Sequence, residues 1–196
     1  MNKQFGRKSN GMPKYLTDEE LTAFMTEAKK NPKLDLLFSL ILAFGLRESE
    51  AVDVRLSDIT ENQRIHIRAK KQGWAMDYDL SPKIWRKYRR WMKARKELHG
   101  PNPYLFPSLL YSGRPSTSSL VIEGFRRIAE RISLVGRAPH SLRHSCAILQ
   151  VRQGFNAAQI SRHLRHKSIA SSWAYFQVVE DAEHERKAQE TFDQFL

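Results

Sequence analysis

The chain has 196 residues, 41% hydrophobic and 10% aromatic, enough for one hydrophobic core and too apolar for an intrinsically disordered protein. Its 33 Lys and Arg against 21 Asp and Glu give a formal charge of +12, which points to a polyanionic partner, nucleic acid first. A lone cysteine, Cys146, excludes an internal disulfide, the N-terminal stretch lacks the apolar run of a secretory signal, and no segment reaches membrane-spanning length. A soluble, cytoplasmic protein with no membrane partner is expected.

Residues 1–15, polar and basic with glycine and proline, read as a flexible basic N-terminal arm, and one domain over 16–196 follows. In LTDEELTAFMTEA, Thr17 and Glu20 form a capping-box pattern and Leu21, Phe24 and Met25 recur at helical spacing, so a helix is predicted from near Asp18. KLDLLFSLILAFGL reads as a nearly all-apolar central helix closed by Gly45, with a short helix in ESEAVDV after it. Alternation in RIHIRAKKQGWAMDYDL predicts a β-hairpin whose turn carries Lys70 and Lys71. From Pro82, KIWRKYRRWMKARKEL is amphipathic, with Trp85, Tyr88 and Trp91/Met92 on one face and eight Lys or Arg, with no acid, between Lys83 and Lys96. That basic side suits either solvent or a phosphate backbone, while the aromatic stripe suits a core. A Pro-, Gly- and Ser-rich connection leads to a helix over LVIEGFRRIAERIS, capped by Ser116 or Thr117. Four further helical units are predicted: HSLRHSCAILQVRQG, NAAQISRHLRH, SIASSWAYF and EDAEHERKAQETFDQF. The fold class is therefore α+β, mainly α-helical: a helical bundle with a small antiparallel β-sheet.

Three chemistries compete for HSLRH and HLRH. A metal site could draw on His140 and His144, four apart on a helix, with His163 and His166, but the metalloprotease pattern needs Glu where Ser141 stands, and Arg143 sets a fixed positive charge beside any cation. Packing and capping roles would suit a single isolated cluster. Phosphoryl transfer uses arginine forks on nonbridging oxygens and histidine donors, and it asks for a nucleophile as well.

From Tyr15 to Phe176 the sequence resembles the catalytic domain of the tyrosine recombinases, the phage integrase family, and in size it is similar to the family's fimbrial-switch invertases. GLRESEA resembles the family's first arginine motif, which implies Arg47 as a phosphate clamp and Glu50 as its supporting acid. HSLRHS is similar to the second box and nominates His140 and Arg143, with His144 behind them. HLRHKS resembles the Leu-Gly-His box and nominates His166, and WAYF supplies Tyr175 as nucleophile, nine residues later as in the family. The family's hairpin lysine lies nine residues before the leucine closing the second strand; with Leu80 in that role it is Lys71. Arg165 stands where the family commonly has glycine, a change expected to alter the local turn and leave His166 in place, and Phe176 stands where Thr or Ser is frequent. Cys146, followed by an apolar run, is expected in the core.

The resemblance implies cleavage and rejoining of double-stranded DNA through a 3′-phosphotyrosyl bond, with no metal and no cofactor. Arg47 and Arg143 would hold the phosphate, His140 and His166 would add donors, and Lys71 would protonate the leaving 5′-oxygen. Clustered cations are expected to make the Tyr175 phenol easier to deprotonate. A homo-oligomer on DNA, a tetramer by resemblance, is expected, its C-terminal helix docking either on a neighbour or on its own core. Family members usually carry a further N-terminal helical domain, which leaves room for an accessory DNA-binding protein here. Competing functions are a non-catalytic DNA-binding regulator of the same fold and a type IB topoisomerase-like relaxing enzyme.

Overall fold

A computed structural model describes residues 13–68, 74–98 and 101–193. Helix α1 (Asp18–Ala28) opens on a complete capping box, with the Glu20 N–H donating to Thr17 Oγ1 and the Thr17 N–H to Glu20 Oε2 at 2.9 Å. Helix α2 (Pro32–Phe44) starts on an Asn31 cap and Pro32, and ends at Gly45 in the left-handed region, φ +54°. The chain then turns through buried Leu46 into the short helix α3 (Glu48–Val52) and a 3-10 turn (Leu56–Asp58).

Strands β1 (Arg64–Ile67) and β2 (Met76–Asp79) pair antiparallel with Ile65 opposite Tyr78, and the alternation puts Ile65, Ile67 and Tyr78 inward. Cross-strand His66 and Asp77, 2.8 Å apart, help fix this register. The hairpin's turn, with Lys70 and Lys71, lies outside the described residues.

Helix α4 (Pro82–Leu98) packs its aromatic stripe inward: Trp91 is buried with its indole N–H donating to Leu105 O at 2.9 Å, and Trp85 stacks on Tyr88. Part of its charge is used inside the protein. Lys87 donates to Asp35 and to Ser39 Oγ at 2.8 Å, and Arg95 donates to the carbonyl of Tyr104 at 2.9 Å. Arg86, Arg89, Lys93 and Lys96 remain exposed on the opposite side.

Helix α5 (Ser118–Arg131) has Thr117 at its N-cap position, but with no side-chain capping bond. Helices α6 (His140–Arg152), α7 (Ala157–Leu164) and α8 (Ala170–Asp193) follow. The two terminal helical units expected from sequence are one continuous helix, because nothing at Val178 removes an N–H or forces a turn, and Val178 is itself buried against the core. Among the described residues no helix is long and apolar enough to cross a membrane.

Two apolar clusters result. In the larger, Phe24 meets Phe38 edge-on at 5.1 Å and Phe125 at 4.7 Å, joining α1, α2 and α5. The smaller joins α6, α7 and α8 through Cys146, Ile148, Ile160, Leu164, Tyr175 and Val178. Tyr15, the last residue of the expected arm, packs on this second cluster, and residues 1–12 of the arm lie outside the described residues. Helix α2 belongs to the larger cluster and packs on α6, and Gly45 at its end lies against Leu164 and Cys146 of the smaller one, next to the site described below.

A Cβ at Gly45 would approach Leu164 Cδ2 to 2.1 Å, and φ +54° disfavours a side chain there in any case. Gly45→Ala should therefore lower unfolding free energy by at least about 2 kcal/mol, combining backbone strain and overpacking. Urea unfolding followed by circular dichroism checks this, and an unchanged midpoint contradicts it.

Candidate active site

The site forms where two helix starts meet two helix ends. Arg47 is the N-cap of α3, and three residues on Glu50 turns back to accept the Arg47 backbone N–H at 2.9 Å and its Nη1 at 2.8 Å. Glu50 is buried, whereas the Arg47 side chain stays about one-third exposed. Helix α6 begins at His140, so His140, Arg143 and His144 share the face of its first turns.

Arg143 is 2% exposed, and its guanidinium donates to Gly45 O and to Leu164 O, the final carbonyls of α2 and α7, with Glu50 4.0 Å away. These two bonds engage two of its five N–H groups, leaving donors for a ligand. His140 Nδ1 lies 3.9 Å from Glu48, and its ring meets that of His144 edge-on at 4.6 Å. His166, just past α7, has Nδ1 at 3.0 Å from Ser172 Oγ on α8. One turn further on α8 comes Tyr175, whose hydroxyl is 3.0 Å from His144 Nδ1 and whose ring lies parallel to His166 at 6.3 Å.

Arg47, Glu50, His140, Arg143, His144, His166 and Tyr175 are thus gathered from four separate segments. Lys71 lies outside the described residues. His144, expected behind the others, instead contacts the phenol directly. Sequence reasoning missed Ser172 as the partner of His166 and Glu48 beside His140, since neither carries a signal beyond its helical spacing. It also treated Arg165 as a change of turn alone. Arg165 is 1% exposed and donates to Glu50 Oε2 at 2.8 Å. An arginine where the backbone wants glycine was the available clue.

Burial dominates the site's protonation equilibria. The Tyr175 phenol is raised above its ordinary value by burial, which outweighs the attraction of Arg143 and Arg47. This corrects the expectation that neighbouring cations ease its deprotonation in the unliganded protein. Burial, then nearby cations, lowers His144 and His166 to about 4, so both are neutral at pH 7. Arg143 is lowered to about 10 and keeps its charge. Burial also raises Glu50, but Arg165's charge and hydrogen bonds from Arg47 and Arg165 more than reverse that, leaving it low and ionised. Cys146, pushed up to about 12 by burial, is an inert thiol in the core.

His144 and His166 titrate near 6.5 in the unfolded chain and near 4 in the folded one, so between those values the unfolded chain binds more protons. Their contribution to stability is fully present above about 6.5 and is lost as pH falls toward 4. Thermal unfolding between pH 7 and pH 4 should show Tm dropping across this window, with a shallower drop in His166→Gln. A wild-type Tm flat over the window contradicts the assignment.

The phage integrase family matches residues 14–181. The chain is 27% identical over 192 residues to tyrosine recombinase XerD of Rhizobium meliloti, covering 91% of this chain and 61% of that protein. It is 26% identical over 181 residues to tyrosine recombinase XerA of Pyrococcus furiosus, covering 91% and 62%. Among solved structures, XerA recombinase superposes with a TM-score of 0.77 at 22% identity over 91% of this chain and 65% of that one. XerH site-specific recombinase bound to palindromic difH substrate, a post-cleavage complex, does so with a TM-score of 0.75 at 25% identity, over 93% and 55%. The chain spans about three-fifths of the length of these curated relatives. Since the family match takes in most of the chain and every segment from Arg47 to Tyr175, the chain belongs to the phage integrase family, the tyrosine recombinases.

Proposed function

We propose that this chain carries the catalytic centre of a site-specific DNA recombinase, with Tyr175 as nucleophile. The observation that carries the reading is the Tyr175 hydroxyl 3.0 Å from a neutral His144, beside a guanidinium assembly built from distant segments. A phosphodiester in front of Arg47 and Arg143 would have its nonbridging oxygens held by N–H forks, with His140 and His166 nearby as further donors. The Tyr175 oxygen attacks phosphorus and its proton passes to His144 in the tautomer whose Nδ1 is free. The bond from phosphorus to the 5′-oxygen breaks, and Lys71 supplies the proton that oxygen needs. The phosphotyrosyl bond conserves the energy of the broken one, so a 5′-hydroxyl from a partner strand can reverse the steps at a new junction.

Duplex DNA as partner is supported by the family and by related proteins described as bound to DNA, among them a lambda integrase dimer on a core site. The exposed Arg86, Arg89, Lys93 and Lys96 on α4 offer phosphate contacts outside the reaction centre. A homo-oligomer on DNA, a tetramer by family resemblance, completes the reading, with an accessory DNA-binding protein as a further partner.

The test starts by selecting bound duplexes from a random pool and converting the selected site into a nicked suicide substrate. The expected result is a covalent protein–DNA adduct that survives denaturation and disappears in Tyr175→Phe. Binding with no adduct would favour a DNA-binding regulator, and plasmid relaxation without strand exchange a topoisomerase. With the same substrate, Arg143→Ala should slow adduct formation about 10²- to 10³-fold while Kd for the duplex changes only a few-fold, because contacts elsewhere hold the backbone. Parallel loss of binding and cleavage would remove Arg143 from the role of clamp.

A further inference from the structure

Arg165 is the C-cap of α7, with backbone in the left-handed region at φ +56°, a conformation that favours glycine and disfavours any residue with a Cβ. A glycine would close the turn with less strain, so what the arginine adds here lies in the contacts of its guanidinium. That group reaches under the site and ties together four elements. Nη1 donates to Phe44 O at 3.1 Å, to His163 O at 3.0 Å and to Tyr78 Oη, while Nη2 donates to Gly45 O at 3.3 Å and to Glu50 Oε2 at 2.8 Å. Its cation also lies 5.6 Å from the centre of the Tyr78 ring. Nε is buried without a partner among the described residues, so the fork is oriented by its two terminal nitrogens alone.

We propose that Arg165 is a positioning residue that fixes Glu50 and, through Glu50, sets the two phosphate-binding arginines. This rests on the strand-transfer reading above. Arg165 shares its acceptors with both of these arginines. The Glu50 oxygen that Arg165 holds is the one that accepts the Arg47 backbone N–H at 2.9 Å, and it lies 4.0 Å from Arg143 Nη1. The other oxygen of the same carboxylate holds the Arg47 side chain at 2.8 Å. Gly45 O, which anchors Arg143, is likewise shared with Arg165. Rotating or protonating this one carboxylate would therefore disturb both clamps together. Arg165 opposes this by a buried charged contact, whereas the Arg47 side chain stays about one-third exposed.

The experiment is a double-mutant cycle on full-length protein, read as the single-turnover rate of adduct formation on the suicide substrate together with duplex Kd. Arg165→Gly restores the residue the turn favours, and it should form adduct about 10- to 100-fold more slowly with Kd within about three-fold of wild type. Glu50→Gln should slow the reaction similarly, and the double variant should be no more than about three-fold slower than Glu50→Gln alone, since both changes break one link. Arg165→Lys, which keeps the charge but cannot span Glu50 and the carbonyls together, should fall between Arg165→Gly and wild type. If Arg165→Gly fails to fold, Arg165→Lys against Glu50→Gln completes the same cycle. A wild-type rate in Arg165→Gly, or rate losses that multiply in the double variant, overturns the proposal while leaving the recombinase reading intact. No adduct from wild type removes that reading, and this proposal with it.

Discussion

Glu50 is buried among guanidinium groups from three separated segments, Arg47 at 2.8 Å, Arg165 at 2.8 Å and Arg143 at 4.0 Å. A carboxylate removed from water is tolerated only when its charge and lone pairs are answered, and here both oxygens are engaged. The dependence runs the other way as well. Arg143 and Arg165 are almost completely buried, and Glu50 is the carboxylate that faces both of them and offsets their repulsion. The carboxylate therefore sets both the spacing and the sign of the site: one negative charge is enough to hold three cations in place and too little to cancel them. What is left is a net positive charge among these groups, which on the proposed reading favours the extra negative charge of the transition state.

Helix ends raise a second electrostatic problem that the same arginines solve. Helices α2 and α7 both finish at the site, presenting the carbonyls of Phe44, Gly45, His163 and Leu164, and such ends carry partial negative charge that would repel a phosphate. Arg143 and Arg165 donate to all four, and Tyr78 donates to the His163 carbonyl at 2.6 Å. Helix α6, by contrast, enters with its positive N-terminal end and carries His140 and Arg143 on its first turn. On the proposed reading the topology thus turns helix starts toward the phosphate and neutralises two unfavourable helix ends.

Most of this frame was legible in the sequence wherever local chemistry decides structure. The Thr17 and Glu20 cap, Gly45 at the end of α2, the alternation around Ile65 and Tyr78 and the aromatic stripe of α4 are each fixed by neighbours within a few residues. Arg47, His140, Arg143, His166 and Tyr175 were nominated by the family resemblance of their motifs, and contacts such as His144 with Tyr175 and His166 with Ser172 link several of their segments in space. The rest depended on three-dimensional competition. Whether α8 broke at Val178 was decided by packing in the second cluster rather than by any residue there. That His144 meets the phenol depends on how α6 and α8 cross, and that Arg165 turns inward depends on carbonyls more than a hundred residues away in sequence. The direction of the phenol's shift belongs to the same class, because the cations are visible in the sequence and the extent of burial is not.

On the proposed reading that direction has a consequence for control. In the free protein burial raises the Tyr175 phenol and keeps His144 and His166 neutral, while Arg143 and Glu50 stay charged. A phosphodiester bound by the arginines brings a negative charge next to the imidazoles, which raises their basicity and makes His144 a better acceptor for the phenol's proton. The same negative charge opposes a free phenolate, so the proton has to leave as the bond to phosphorus forms rather than beforehand. A nucleophile held in this state stays unreactive in the empty site, and its activation is tied to the occupancy of the clamp that Glu50 holds together.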